Sequence, residues 1–442
     1  MAEIKPRERT AITQSLRAGV VPKIGLQHIQ VGRKKEIEAI LQDLKNIENG
    51  SAAVRFIIGR FGSGKTFFLN LARAMSLEQK FVVLQADITT ERRLHASGGQ
   101  ARALYSELLR NMSIKTMPEG GALKAIIEKW IAGIEYEVKE TKGGSDEDVE
   151  KHIFKQLEKL QDLVNGYDFA IVINQYYKGY RTQNEQLQQF AIRWLRAEYS
   201  TKTEARQDLG VRNIIDDAQV YDYLKLMALF VKIAGYKGLI VNIDEMVVLS
   251  HRLSNTQARN SNYESILRIV NDSLQGNSSY IGFLFGGTDE FMEDKRRGLY
   301  SYEALATRLA QNTFANSNNM QDFSSPVVKL TNLSQEDLYV LLHNVRNVFA
   351  CGDSSKYLVP EEGLSEFMKY CYQTLGAAYF ATPRDVVKKF VDFLSIIEQN
   401  PSCVWSELLN IKSKNYIGDL KVTQDEIGMI GDSDDDLVNL KI

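Results

Sequence analysis

The stretch that most narrows what this chain can fold into is GRFGSGKT, residues 59–66. It matches the pattern of Gly, four residues, then Gly-Lys-Ser/Thr that closes around phosphate groups. Residues 54–58 ahead of it are mostly apolar and rich in β-branched and aromatic types, which predicts a buried strand. Residues 65–75 behind it carry Phe68, Leu69 and Ala72 at helical spacing. Strand, glycine loop and helix in that order are the context the motif requires. The glycines let the loop turn its N–H groups inward, and the helix N-terminus adds partial positive charge. The residues expected to hold a nucleoside triphosphate are Gly59, Arg60, Phe61, Gly62, Ser63, Gly64, Lys65 and Thr66. Lys65 would reach the β- and γ-phosphates, and the Thr66 hydroxyl would ligate Mg2+. The competing reading is a glycine turn with no ligand.

A second landmark is GLIVNIDEM, residues 238–246. Its apolar run predicts a strand that ends in Asp244 and Glu245. Downstream of a phosphate loop, the first acid is expected to hold the Mg2+ hydration shell. The second is expected to act as general base, or to orient a water on the γ-phosphate. The presence of Glu245 points to hydrolysis and not to binding alone. Further strands are expected at residues 81–87, 280–285 and 326–330. Residues 88–237 are longer than such a core requires and read mostly as helix: 101–111, 123–138, 146–164, 168–178, 185–198 and 218–234. A helical insertion over residues 91–202 follows. Within it, residues 143–151 read as a solvated charged turn and helix start. Residues 175–183 (QYYKGYRTQ) read either as a helix end with interfacial tyrosines or as a stacking surface for a nucleic-acid strand.

A chain of 442 residues is long enough for two or three domains with sizeable cores. Its formal charge of -2 gives no global pull toward nucleic acid or anionic membrane, so any such contact needs a local patch. No apolar run approaches the length of a membrane span, and the N-terminal residues lack the apolar core of a secretory signal. Cys351, Cys371 and Cys403 form neither a pairing scheme nor a metal-ligand spacing, so the expectation is reduced thiols in a cytoplasmic protein. The five histidines are scattered, and no metal site is expected from them.

At the start of the chain, residues 8–18 read as a short amphipathic helix. Ile37, Ile40, Leu41 and Leu44 give the segment after Gly32 one buried helical face. Residues 311–325 are polar and read as a mobile loop. Ser334 then caps a helix with Asp337 in its first turn and Leu338, Leu341, Leu342 and Val345 as its apolar stripe. Helices at 362–372 and 382–397 follow, the last opened by Thr382 and Pro383. Residues 431–442 join an acidic run to a short apolar end. They read as a tail, or as a segment that docks on a partner or in a basic groove of its own chain.

The order VGR, GRFGSGKT, NIDE, GGTD, TRL and TPRD, from Val31 to Asp385, resembles an AAA+ ATPase of the initiator and origin-recognition kind. That resemblance implies that Gly32 and Arg33 contact adenine. It implies that the strand at 280–285 lies between the other two motifs and carries a polar sensor of the γ-phosphate, Thr288, with Asp289 as its neighbour. Arg308 would be an arginine finger acting on the next subunit, with Arg296 and Arg297 as rivals, because a guanidinium stays charged and grips phosphate oxygens in two places. The helices from Ser334 onward would form a lid, with Arg384 leaning back toward the γ-phosphate. More narrowly, LRAGVVPKIGLQHIQVGRKKEI, RFGSGKTFFL and RRLHASGGQARALY resemble ATP-binding proteins of BREX phage-defence operons, the BrxD-like group. This implies an anti-phage role near DNA or a helicase-like partner. The chain departs from the AAA+ pattern in having Thr288 where Asn is common. Beyond Pro401 too few residues remain for a winged-helix domain, which speaks against origin-type DNA reading.

The expected fold is therefore α/β: a P-loop AAA+ parallel-sheet core with a large helical insertion and a C-terminal helical lid. Its expected segments are 1–90, 91–202, 203–330, 331–412 and a flexible acidic tail at 413–442. The expected function is hydrolysis of ATP with Mg2+ in a side-by-side homo-oligomer, away from the membrane. Two alternatives are a nucleotide-gated switch or scaffold for a helicase-like partner, and a DNA-loading clamp.

Overall fold

The structure is a computed structural model that describes residues 4–161, 166–310, 312, 322–379 and 382–409. Helices α1 (Pro6–Arg17) and α2 (Lys34–Glu48) lead into β1 (Ala52–Ile58), α3 (Lys65–Glu78) and β2 (Val82–Asp87). A long helical crossover follows: α4 (Gln100–Arg110), α5 (Leu123–Glu135), α6 (Asp146–Gln161), α7 (Gly166–Arg181), α8 (Glu185–Leu195), α9 (Lys202–Leu209) and α10 (Val220–Ile233). Next come β3 (Leu239–Asp244), α11 (Thr256–Gln275), β4 (Ile281–Gly287), α12 (Asp289–Glu293), α13 (Glu303–Arg308) and β5 (Val327–Lys329). The described chain ends with α14 (Gln335–Phe349), α15 (Glu361–Tyr379), α16 (Pro383–Gln399) and α17 (Trp405–Leu409).

Among the described residues the strands form one parallel sheet of order β2-β3-β4-β1-β5. Parallel sheets need both faces covered, so their central strands are apolar throughout. Here every residue of β3 and β4 is buried. Alternation along β1 divides the two faces. Val54, Phe56 and Ile58 pack toward the crossover helices, α11 and the short helices after β4. Ile57 packs toward α2 and α3, with Ile40, Leu44, Phe68, Leu69 and Val83. The crossover helices share one continuous apolar core with their face of the sheet.

Several boundaries differ from the sequence expectation, for local reasons. Helix α8 stops at Leu195 because Ala197 takes a left-handed backbone, φ 56°. Helix α5 gives way to a π-helical turn at Tyr136–Thr141. The whole of α11 went unread, although Asn255 caps it and Gly276 ends it. Thr382 does precede α16 with proline at its start, but its hydroxyl bonds the Asp385 carboxylate and caps no backbone N–H. Ser334 caps α14 as expected, accepting from Asp337 N–H at 3.0 Å. Most of the loop read at 311–325, and all of the tail at 413–442, lie outside the described residues.

The C-terminal helices build a second core around Leu342, Val345, Phe367, Val387, Phe390 and Leu394. Helix α1 belongs to it: Ile12 is fully buried there, and Arg9 donates to the Phe349 carbonyl at 2.7 Å and pairs with Glu398. Arg17 reaches Ser395 and Asp392 of α16. The first helix of the chain is thus a member of the last bundle.

Candidate active site

Register puts the chemistry at one edge of the sheet. Ile58 of β1 pairs with Gly287 of β4, Ile243 of β3 with Phe285, and Asp87 of β2 with Asp244. The phosphate loop leaving β1, the tip of β4 and the acids at the tip of β3 therefore stand in that order. Ligands of open α/β sheets bind in such a crevice beyond the carboxyl ends of the strands. The tip of β4 lies between the two motifs, as the AAA+ resemblance implied.

The loop bends as its glycines require. Gly64 has φ 91° and opens α3; a side chain there would meet no neighbour, so what excludes other residues is the backbone conformation. Gly59 N–H bonds the Gly287 carbonyl at 3.3 Å, tying the loop to β4. The Lys65 ammonium donates to the Gly59 and Arg60 carbonyls, both at 2.9 Å, and its third N–H remains for an anion. Burial lowers the Lys65 pKa, against the charges of Asp244, Glu245, Asp289 and Glu290, which raise it. The Ser63 hydroxyl is buried within the loop and has no hydrogen-bond partner among the described residues.

Thr66 and Asp244 meet directly: the Thr66 hydroxyl donates to Asp244 Oδ2 at 2.8 Å, across 178 residues of sequence. Asp244 Oδ1 accepts from the backbone N–H of Glu245 at 2.8 Å. That bond steadies Glu245 in a left-handed conformation, φ 58°, which for a residue of this kind costs ~1–3 kcal/mol. The Glu245 side chain is exposed at the cleft. The surrounding protein strips water from its carboxyl, and with the neighbouring Asp244 and Asp87 charges raises its pKa; Lys65 and Arg252 oppose the rise.

These groups fit the ligands the motif implies. A hydroxyl and a carboxylate that share one point are hard oxygen donors of the type Mg2+ takes, few in number and sparing of its waters. The unpartnered Ser63 hydroxyl and the spare Lys65 donor suit phosphate oxygens.

Gly286 is a residue that sequence reading passed over as the end of a strand. A methyl group there would lie 2.2 Å from Asp244 Oδ1 and 2.8 Å from Leu69 Cδ1. Only glycine lets the buried Asp244 lie against β4. Gly286→Ala should therefore push the carboxylate off Thr66, at a packing cost of about 1–3 kcal/mol. The expected result is at least a tenfold (~1.4 kcal/mol) weaker response to Mg2+ and ATP in a thermal melt. A response equal to that of the unaltered chain would show that this contact does not matter.

Asp87, in register with Asp244, was also missed. Its signal was an apolar strand ending in a carboxylate, the same pattern that marked Asp244. Partial burial and then the Asp244 charge raise its pKa.

The remaining candidates divide. Thr288 sits at the tip of β4, where its hydroxyl caps α12 by accepting from Phe291 N–H at 3.3 Å. Arg33 lies against the loop: it reaches the Ser63 carbonyl at 3.5 Å, Glu36 at 3.4 Å and the Thr331 carbonyl. A methyl group at Gly32 would stand 3.3 Å from the Asp337 carboxylate of α14. The start of α16 also faces the loop. Thr382 Cβ would be 3.1 Å from a methyl group at Gly62, and the Arg384 guanidinium lies over the exposed Phe61 ring, 5.5 Å from its centre.

Arg308 is not brought to this cleft. It bonds Asn271 of α11 and the Ala304 carbonyl. Asn271 lies about 22 Å along α11 from the end nearest the acids, at 1.5 Å per residue. Arg296 and Arg297 are exposed in the turn after α12.

The tyrosine cluster of α7 resolves in favour of a helix end. Tyr176 and Tyr177 are fully buried, while Lys178 pairs with Glu150 at 3.2 Å and Arg181 lies 3.8 Å from Asp146. Buried rings cannot stack on bases, and Tyr180 alone of the three tyrosines is exposed.

A family model described as "BREX system ATP-binding protein BrxC/D" matches residues 4–413. The chain belongs to that family. BrxC/D membership makes ATP binding within the BREX phage-defence system its coarse function, and it accords with the lysine, hydroxyl and acids gathered here. The match takes in both the sheet and the C-terminal helices, so the BrxC/D resemblance read from residues 16–105 extends over nearly the whole chain. BREX proteins work as a multi-protein system, so partners are implied. Among the described residues of this BrxC/D chain, no helix is long and apolar enough to cross a membrane. No curated protein matches the chain.

Proposed function

We propose that this BrxC/D protein is a cytoplasmic AAA+ ATPase of a DNA-associated phage-defence assembly, in which ATP hydrolysis moves the C-terminal lid and the helical crossover. The single observation that carries the reading is the 2.8 Å contact of the Thr66 hydroxyl with Asp244, beneath a lysine and beside a second acid. Mg2+ bound at that pair would supply charge neutralisation to the phosphate oxygens. The chain's own residues do the rest. Lys65 and the loop N–H groups hold the β- and γ-phosphates. Glu245 receives the proton of the attacking water, and its raised pKa makes it a better acceptor than an ordinary carboxylate. Thr288 polarises the far side of the cleft.

Arg384 already stands over the loop through Phe61, from which it can turn to the γ-phosphate. Gly32 and Arg33, between loop and lid, would contact the base. Arg308 has no route to its own cleft, which favours action on a neighbouring subunit in a side-by-side assembly. The crossover, residues 91–202, is assigned to the partner, a helicase-like or other defence component.

The test is a thermal melt and a phosphate-release assay on the intact chain. Mg2+ and ATP at a hundredfold excess over Kd should raise the melting temperature by about 3 °C, and Lys65→Ala should abolish both this shift and phosphate release. An unaltered chain that ATP does not stabilise would refute the reading. Stabilisation without phosphate release would make the protein a nucleotide-gated switch. Light scattering that finds a fully active monomer under saturating ATP would remove the role of Arg308.

A further inference from the structure

Outside the nucleotide cleft, the charges of this near-neutral chain are unevenly matched. On the crossover helices cations meet acids: Lys139 with Asp146, Lys142 with Glu137 and Arg193 with Glu204, all at 2.6 Å. Three segments beyond the carboxyl ends of β2, β3 and β4 differ. Residues 92–103, 246–263 and 295–302 contain no Asp or Glu.

The structure brings these segments together. His95 N–H donates to Asn262 Oδ1 at 2.9 Å, and the Asn262 amide returns a bond to the His95 carbonyl at 3.2 Å. His251 Nε2 lies 3.4 Å from Asp294, and the Tyr263 hydroxyl donates to the Arg297 carbonyl. Asp294 borders the third segment, and it accepts from the N–H groups of Arg296 at 2.7 Å and Arg297 at 3.2 Å. Its charge is thereby engaged in holding the turn. The nearby acids Glu293 and Glu264 are bound to Lys329 and to the Tyr302 hydroxyl.

Arg252, Lys295, Arg296 and Arg297 are exposed, and their side chains have no hydrogen bond or ion pair among the described residues. Four exposed cations without a direct partner among the described residues, with the intervening Asp294 engaged in holding the turn, repel one another, and a polyanion relieves that repulsion. The large exposed apolar side chains, such as Phe61, Tyr136 and Leu274, all lie outside these three segments. The exposed rings of these segments are two histidines, His95 and His251, with no exposed Tyr, Phe or Trp, so the edge favours the phosphates of a duplex over stacked unpaired bases.

We propose that this edge docks the phosphate backbone of a nucleic-acid duplex, gripped by Arg252, Lys295, Arg296 and Arg297. Arg252 follows Glu245 by only seven residues, so a bound backbone adjoins the nucleotide cleft. That coupling rests on the ATPase reading above; the binding itself does not.

The experiment is fluorescence anisotropy with a labelled short DNA duplex, titrated by the intact chain over a range of salt. The variant is Arg252→Gln/Lys295→Gln/Arg296→Gln/Arg297→Gln. All four side chains are exposed, so its melting temperature should match that of the unaltered chain; if it does not, the single variants Lys295→Gln and Arg296→Gln carry the test. The expected result is salt-sensitive duplex binding that weakens at least tenfold in the quadruple variant. The slope of log affinity against log salt should become shallower by about 3–4, at roughly 0.9 per lost contact, or about 0.9 for each single variant. Lys151→Gln/Lys155→Gln on the exposed crossover surface should leave affinity unchanged. The proposal is overturned if the unaltered chain has no duplex affinity, if the variants keep its affinity and slope, or if a single strand of equal length binds more tightly. Loss of the ATP-dependent thermal shift in the unaltered chain would sink the ATPase reading and leave this assay interpretable.

Discussion

Glu245→Gln leaves ATP binding intact and lowers phosphate release by about 100- to 10,000-fold, the usual loss when a positioned general base is removed. The amide matches the carboxylate in size and keeps the backbone N–H that Asp244 Oδ1 holds at 2.8 Å, so the left-handed turn survives. It cannot accept a proton from water. Thermal stabilisation by Mg2+ and ATP should persist while turnover disappears. The pH profile provides a second check. Because its surroundings and the Asp244 and Asp87 charges raise the Glu245 pKa, the base protonates at a higher pH than an ordinary glutamate. Turnover of the unaltered chain should therefore start to fall, on acidification, while most surface carboxylates are still charged. Phosphate release by Glu245→Gln at the unaltered rate would show that another group accepts the proton.

Asp43→Ala should destabilise the chain by about 3–5 kcal/mol, the cost of leaving one partner of a buried ion pair uncompensated. Arg55 lies in the middle of β1, buried beneath α2. Its Nε and Nη2 donate to the two Asp43 oxygens at 2.6 and 2.8 Å, and Nη1 donates to the Phe323 and Ser325 carbonyls at 2.6 Å. One side chain thus binds the second helix, the first strand and the approach to β5. Removing Asp43 strands the guanidinium in an apolar layer. The double replacement Asp43→Leu/Arg55→Met removes both charges and should recover most of the loss, since well-packed apolar substitutes for buried pairs are often neutral. Chemical denaturation measures both. A single variant within 1 kcal/mol of the unaltered chain would contradict this account.

Sequence reading fared best where function is local. A strand, a glycine loop and a helix are set by neighbouring residues, so residues 54–75 were legible, as was the apolar run ending in Asp244 and Glu245. The strand at 280–285 was also found, but its most demanding residue was not. What requires glycine at 286 is a carboxylate on the adjoining strand, 42 positions earlier, and one strand's spacing says nothing of its neighbour. Arg55 stood as an odd charge in an apolar run until Asp43 came beside it. Helix α11 was missed because its buried face, including Tyr263, Ile266 and Val270, is diluted by Asn and Ser, although its two caps were readable. The place of α1 in the last bundle had no local signal at all. The roles implied for Arg308 and Arg384 depend on where helices lie in space and on a second subunit, which a single chain's pattern does not contain.

Because α1 packs with α14 and α16, two chain segments connect the C-terminal bundle to the sheet, residues 18–33 and 330–334. A body attached at two points cannot twist freely; it can only rock about the line through both attachments. Arg33 sits on that line, bonded to the Thr331 carbonyl on the other segment and leaning on Ser63 of the phosphate loop. In the proposed reading it would be the pin of a hinge, and the loop on which it bears is the one that would meet the triphosphate.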